Sequence, residues 1–540
     1  MTRSKLITAA AAANLIADGA TIAVNSSSGL NCPDALLRAI GERFASTGAP
    51  RNLMTIHPIA AGDMYGVKGI DHIAQPGLLA RVIGGSYPSG PSSMESPRIW
   101  QMIDNDEIEA YNLPSGLIFH QLREGAAKRP GVLTQVGLDT FVDPRRQGGK
   151  MNRSTVEEIV QVVQFDGQEW LYLRSLHPDV ALIRATSADE RGNLSFEQEG
   201  AFLGAYDVAL AAHNSGGIVI AQVKRLVAAD SIPAQNVRVP GILVDHIVLA
   251  AEQRQTTQTD YDPAISGEIR IPAESFEGVE WGLEKVIARR AALELRDGEA
   301  VNLGFGISAL VPRILHEEGL DGAVTWVIEQ GAVGGMPLLG FQFGCAANAQ
   351  AIIPAPDQFS YFQGGGFDRS FLSFMEIDRE GNVNVSRLRS RPHVTAGVGG
   401  FIDITANARR IVLSGTFTTG GSRIDVRDGK LRIEKEGKVH KFVNEVEHVT
   451  FSGRRARATG QEVVVVTERC VLRLEREGWC VTEIAPGVDL ERDVLAQCDF
   501  PLRVADDLRE MEARLFSPDP IGLILNRKES SAVDSFWSKR

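Results

Sequence analysis

Cysteine is scarce in this chain. Its 540 residues hold five, Cys32, Cys345, Cys470, Cys480 and Cys498, an odd number without a Cys-x-x-Cys pair or a histidine grouping at metal-ligand spacing. Neither a disulfide framework nor a metal centre is expected, and a reducing, cytoplasmic setting is. Long apolar runs are missing too: glycine and charged residues break each candidate before the roughly 18 residues that a membrane helix needs, so no membrane partner is expected. Basic charge is in deficit, with 56 Lys and Arg against 68 Asp and Glu. Neutralising a polyphosphate backbone wants a basic face, so no nucleic-acid partner is expected, whereas a small anion needs only a local basic cluster. The opening "MTRSKLITAAAAANLIADGA" sets Arg3 and Lys5 before an alanine run, somewhat as a signal peptide does. Alanine is the best helix former and the run leads straight into a strand, so a plain first helix is expected.

What the chain does have is apolar content of 44%, ample for cores, and a length that suggests about two to four domains. It also has an internal echo. "DGATIAVNSSSGLNCPDALLRAI" from Asp18 and "DGEAVNLGFGISALVPRILHEE" from Asp297 align without a gap, pairing Gly19 with Gly298 and Pro33 with Pro312. Each unit reads as helix, Asp-Gly turn, short apolar strand, small-residue loop, then a helix with proline in its first turn. Two similar α/β halves with largely parallel sheets follow: 1–253, a polar linker at 254–280 containing Pro263 and Pro272, and 281–525. "GKLRIEKEGKVHKFV" alternates as antiparallel hairpins do, and the Ser-rich, charged 526–540 reads as a loose tail.

Chemistry concentrates in the second half. Gly304, Phe305 and Gly306 in "GFGIS" follow a strand and precede a helix, a place where bare backbone N–H groups meet an anion. Their spacing misses the dinucleotide fingerprint by one residue, yet Glu329 ends the next strand where a ribose-binding acid would stand. A ribose-binding acid has no need of the glycines in "WVIEQGAVGG". With no side chain at Gly331, Gly334 or Gly335, Glu329 is open to a bulky electrophile, and an ionised carboxylate of ordinary pKa can attack an activated acyl group. A strand-end acid facing solvent is the plain structural alternative. The matching strand of the first half, "NLMTIHP", ends at His57 and Pro58 without a carboxylate, which implies one active centre per chain. "AGVGGFIDI" offers oxyanion donors at Gly399 and Gly400 ahead of an apolar strand, or else a strand-entry turn. "FVDPRRQGGKMN" carries Arg145, Arg146 and Lys150, suited to phosphate or simply solvated. His213 joins no triad or metal set.

Taken in order, "TFVDPRRQGGK", "RATSADERGNLSFE", "HNSGGIVIAQV", "PGILVDHIV", "IEQGAVGG", "GVGGFIDI", "FSG…TER" and "EIAPGVDLERDVL" resemble the family I coenzyme A transferases of the fused-chain acetate, propionate or acetoacetate type, over nearly the whole chain. The resemblance implies two open α/β/α domains and a ping-pong reaction. Glu329 attacks a short-chain acyl-CoA, gives an acyl-glutamyl anhydride and then a glutamyl-CoA thioester, and hands CoA to a carboxylate such as acetate. It implies CoA as substrate and covalent intermediate, no permanently bound cofactor, and a homo-oligomer, dimer or tetramer. It places CoA against Gly304, Phe305 and Gly306 and against Gly397, Gly399 and Gly400. One departure is Ser115 in "YNLPSGLIFHQL", where relatives commonly carry a glutamine that borders the acyl pocket. An acyl-CoA hydrolase of the same fold and a non-catalytic CoA- or nucleotide-binding protein are the alternatives.

Overall fold

The structure is a computed structural model that describes residues 4–528 apart from 64, 91, 92 and 94. The alanine run forms the helix Ala9–Asn14, capped by the Thr8 hydroxyl and buried through Ala12 and Ala13. Next comes the strand Thr21–Val24, at the centre of a nine-stranded sheet. On one side of it run Leu53–His57, Leu79–Gly84 and Glu109–Asn112, all parallel; on the other, Val180–Asp189, Ile218–Val227 and His246–Leu249 continue the parallel order. Near-continuous apolar strands of this kind suit a sheet covered on both faces by helices.

The second half repeats the plan. Ala300–Leu303 lies between Thr325–Val327 and Arg369–Ser373, and Arg410–Ser414 and Glu462–Val466 extend the parallel sheet. Cys470–Glu475, Gly478–Ile484 and Arg503–Glu510 at one edge, and Ala332–Val333 and Ala351–Ile352 at the other, complete ten strands. Hairpins stand off this sheet: Arg423–Arg427 pairs antiparallel with Lys430–Lys435, and Thr418–Thr419 with Val439–His440.

The echo goes down to single hydrogen bonds. Gly19 and Gly298 are both left-handed, φ 73° and 86°. Their N–H groups donate to Arg51 O and Ala323 O, each two residues before the next strand. Asp179 and Asp368, one residue before their strands, receive the N–H of Thr21 and of Ala300, both at 2.8 Å. An Asp-Gly turn imposes the left-handed glycine, and the turn sets where the central strand begins.

Two expectations change. Residues 254–280 are mostly irregular, with one short 3-10 turn at Ala273–Ser275, but they are not a free polar connector. Gln255, Thr256, Ala264 and Ile265 are buried, the Thr257 hydroxyl donates to Asp63 of the first half, and Thr259 Oγ1 accepts from Gln342 of the second at 2.9 Å. Small polar side chains that satisfy one another can be packed inside. The expected tail at 526–540 falls outside the described residues beyond 528, and its first residues are held: Asn526 O and the Lys528 N–H both pair with Asp297.

The halves meet along an apolar and hydrogen-bonded seam. Leu117 and Phe119 of the helix Ser115–Ala126 pack with Phe359 and Phe362 of Ala355–Gln363, the Phe119 and Phe359 rings 6.1 Å apart. Beside them Asn112, 2% exposed, donates from Nδ2 to Gly84 O and Gly85 O at 2.9 and 2.7 Å and accepts the Val398 N–H at 2.9 Å. Asn112→Ala leaves the Val398 N–H buried without a partner, while Gly84 O and Gly85 O keep the Leu113 and Gly399 N–H groups, and is expected to lower unfolding free energy by about 1–3 kcal/mol; a denaturant midpoint equal to wild type would contradict that role.

Candidate active site

Glu329 sits at the tip of a tight turn. Strand Thr325–Val327 runs into Ile328, whose N–H donates to Ala332 O while Gly331 N donates back to Ile328 O, and Ala332–Val333 returns antiparallel. Gly331, Gly334 and Gly335 serve this reversal. Their φ values are 120°, 69° and 74°, and a Cβ at each would overlap Ile353 O, the Gln350 side chain or Ala347 O. They are therefore glycines because the 346–353 segment lies against them, which corrects the expectation that they clear space before the carboxylate.

The space before Glu329 is cleared by another loop. A Cβ on Gly400 would overlap Glu329 Oε2, and would meet the Phe359 ring at 2.6 Å. Burial pushes the Glu329 carboxyl up to about 7, and the N–H of Gly400 is the group that partly offsets it. The ordinary carboxylate pKa expected from sequence does not hold here, because Gly400 and Phe359, later segments of the same half, close over the turn tip. Gln330 holds the carboxylate in place: Nε2 donates to Glu329 Oε1 at 3.2 Å and to Ser27 Oγ, from the first half, at 3.3 Å.

Facing Glu329 is the wall of the first half. Ser115 begins the helix Ser115–Ala126, is fully buried, and donates its N–H to Gly399 O at 2.9 Å, while its hydroxyl has no partner. Gly85 lies beside it; a Cβ there would reach the Ser115 hydroxyl at 2.5 Å. Gly399 donates to Gly85 O at 2.8 Å, so of the two glycines proposed as oxyanion donors only Gly400 directs its N–H at the carboxylate. Gly397, φ 97°, packs on the Asn112 side chain. Between the glycines and the strand they were expected to precede, which runs Arg410–Ser414, lies the short buried helix Phe401–Thr405.

The other expected residues divide. Gly304 N–H is bound to Phe371 O, and Gly306, φ 95°, is pressed against Ser373, whose hydroxyl donates to Phe305 O. Phe305 is 67% exposed, edge-on to Phe343 at 5.3 Å. In the basic loop, Arg145 is taken by Asp143 and Glu169 and Lys150 by Glu158. Arg146 is exposed and lines a separate cleft of about 520 Å³ with Arg387 and Arg389, one that Glu329 does not line. His213 is exposed in the last turn of Ala205–Asn214. Two site residues were not read from sequence. Gln330 is the middle residue of Glu-x-Gly and was open to notice; Asp403 gives no local signal. Among the described residues no group of His, Cys, Asp and Glu is arranged for a metal, the five cysteines are free, and no helix is long and apolar enough to cross a membrane.

Two α/β halves around one half-buried carboxylate suit acyl or CoA transfer, and comparison with known proteins specifies it. The family model for coenzyme A transferase matches residues 6–250. "Acetate CoA-transferase YdiF" of Escherichia coli (strain K12) is 38% identical over 97% of either chain, and "Caffeate CoA-transferase" of Acetobacterium woodii 40% identical over 96% of this chain and 99% of its own. A solved YdiF acyl-CoA transferase of E. coli O157:H7, a thioester complex with CoA, is 37% identical and superposes with a TM-score of 0.89 over 97% of this chain and 98% of its own. The chain belongs to the coenzyme A transferase family and is a CoA-transferase.

Gly400→Ala tests the geometry. Gly400 has φ −89°, which alanine adopts freely, so the fold should persist while the methyl displaces the Glu329 carboxylate. Turnover is expected to fall by about 10²-fold, with a melting temperature lowered by the contact with the Phe359 ring but folding still cooperative; full activity would mean that Glu329 is not held as described.

Proposed function

We propose that Glu329 is the nucleophile of a ping-pong transfer of CoA between a short-chain acyl-CoA and a carboxylate such as acetate. The observation that carries this is one carboxylate at a turn tip, enclosed by both halves and met by the Gly400 N–H. In the first half-reaction a Glu329 oxygen adds to the thioester carbonyl carbon, and the C–S bond breaks to give the acyl-glutamyl anhydride and CoA thiolate. The thiolate then attacks the glutamyl carbon; the anhydride C–O bond breaks, and the first acid leaves as its carboxylate with one oxygen taken from Glu329. A second carboxylate reverses these steps, so thioester energy is kept without ATP. Each addition makes an oxyanion, which the Gly400 N–H is aimed to receive.

The loop Gly304-Phe305-Gly306 and the loop from Gly397 to Gly400 border CoA in this reading, with the exposed Phe305 as an apolar contact and binding energy drawn from groups remote from the reacting carbon. Ser115 forms part of the acyl pocket, its free hydroxyl within the wall of the first half. The relatives named for acetate and for caffeate differ greatly in acyl size, so the pocket wall and not family membership decides the substrate. We assign the two domains to 1–253 and 281–525, a homo-oligomer, and a reducing cytoplasmic setting in keeping with free cysteines.

Glu329→Gln is expected to abolish exchange while CoA still binds. Mass spectrometry after addition of acetyl-CoA should find CoA on the Glu329 peptide of the wild type alone. CoA release at the same rate with and without acetate would point to hydrolysis instead. Because the attacking form is ionised and the carboxyl is pushed up to about 7, kcat/KM is expected to rise with pH from about 6 to about 8 and then level; a profile already flat at about pH 5.5 would contradict the buried geometry.

A further inference from the structure

A second carboxyl lies in the same dry seam. Asp403, 0% exposed, stands three residues after Gly400 on the helix Phe401–Thr405. Its Oδ2 accepts the Gly116 N–H at 2.9 Å and its Oδ1 accepts Gln363 Nε2 at 2.8 Å. Phe359 joins it to the nucleophile. A Cβ on Gly116 would meet Asp403 Oδ1 at 2.7 Å and Phe359 Cβ at 2.8 Å, and one on Gly400 would touch both the Phe359 ring and Glu329. Two carboxyl groups therefore flank one phenyl ring, and no lysine or arginine ranks among the groups that act on either.

The surrounding titratable groups do not supply the missing charge. His57, from the strand Leu53–His57, is kept neutral by burial, down to about 4. His120 on Ser115–Ala126 is lowered by burial and rests on Ser360 Oγ at 3.1 Å. Arg123 on the same helix is paired with Asp207 and with Asp357 of Ala355–Gln363, and burial keeps Tyr361 of that helix un-ionised. Asp403 is pushed up to about 7, by burial first, with the Glu329 charge adding to it. Two carboxylates in one low-dielectric site titrate as a pair and resist double ionisation.

We propose that Asp403 is a positioning residue that shares one proton with Glu329, and that acylation of Glu329, by removing its charge, lets Asp403 ionise and pass that proton to solvent. The inference rests on Glu329 being the nucleophile. The balance counts both carboxyls: attack by ionised Glu329 neither consumes nor produces a proton, so the proton released is the one the pair held, from Glu329 where it was protonated and otherwise from Asp403, which takes over the negative charge that the glutamyl thioester has lost. When the second carboxylate restores Glu329, the pair takes the proton back. The charge of the seam then stays near minus one throughout the cycle.

The test mixes enzyme with excess acetyl-CoA without added acceptor, in weak buffer with a pH indicator at about pH 7, and measures thioester on the Glu329 peptide in the same samples. Wild type is expected to release a fraction of a proton per thioester. Asp403→Asn is expected to form thioester with a smaller release, that of the Glu329 carboxyl alone, and its acid limb in kcat/KM should move to lower pH and steepen to a single ionisation. Gln363→Leu keeps the carboxyl but removes a donor that favours its ionised form, so the release at neutral pH should shrink. An equal proton yield in wild type and both variants, with normal thioester, overturns the inference; it would also fall if Asp403→Asn lost activity with an unmoved pH profile. Absence of any thioester on Glu329 in the wild type is a different result, and removes the nucleophile assignment beneath it.

Discussion

The hydrogen bonds that tie Gly84 and Gly85 to the 397–400 loop are what the active site depends on. Asn112 bridges the carbonyls of Gly84 and Gly85 to the Val398 N–H, Gly399 donates to Gly85 O, and Ser115 donates to Gly399 O. These bonds fix Gly400, and Gly400 with Phe359 closes over Glu329. Enclosure of the carboxylate is thus a property of Phe359 and of the 397–400 loop, which the first half holds by hydrogen bonds, and not of the turn that carries it. A Glu-x-Gly turn without that loop above it would be a strand-end acid facing solvent, the plain alternative that the sequence also allows.

That burial has two opposed effects on reactivity. A carboxylate held near pH 7 is only about half ionised at neutral pH, which costs a factor of about two in the amount of nucleophile. The ionised fraction is more basic and less solvated than an exposed carboxylate, and basicity raises the intrinsic rate of attack. The first effect is bounded at that factor, whereas the second grows as burial makes the carboxylate more basic. For attack on a thioester the gain therefore exceeds the loss, provided that the donor on the opposing loop still stabilises the oxyanion.

Much of this was legible in the sequence, and what was not has a common cause. The duplication could be read because Asp-Gly turns act locally: the left-handed glycine and the strand after it lie within a few residues. Glu329 could be read because a carboxylate ending an apolar run is a local oddity. The role of its glycines could not, since what presses on Gly331, Gly334 and Gly335 is a segment twelve to twenty-two residues on, and what clears the carboxylate is Gly400. The basic loop reads as available in sequence, but Glu169 and Glu158 close on Arg145 and Lys150. The helix Phe401–Thr405 is hidden by its own complete burial, which removes the periodicity that would announce it. Residues 254–280 look like a linker because they are polar, but their polar atoms find partners in both halves.

The asymmetry between the halves follows from the same packing. In the first half the strand equivalent to Thr325–Val327 ends at His57 and Pro58, and there the chain cannot host a second nucleophile. A Cβ on Gly85 would overlap the Pro58 carbonyl, so that turn is pressed against the Gly84-Gly85 segment which binds the 397–400 loop. The turn that carries Glu329 in one half has become, in the other, the buttress behind the wall that buries it. Restoring a carboxylate at position 57 would put a charge under Gly84 with no donor of the Gly400 kind above it. One duplicated fold thus presents one carboxylate at this turn, because the Gly84-Gly85 segment of the first half is used in holding the 397–400 loop over Glu329.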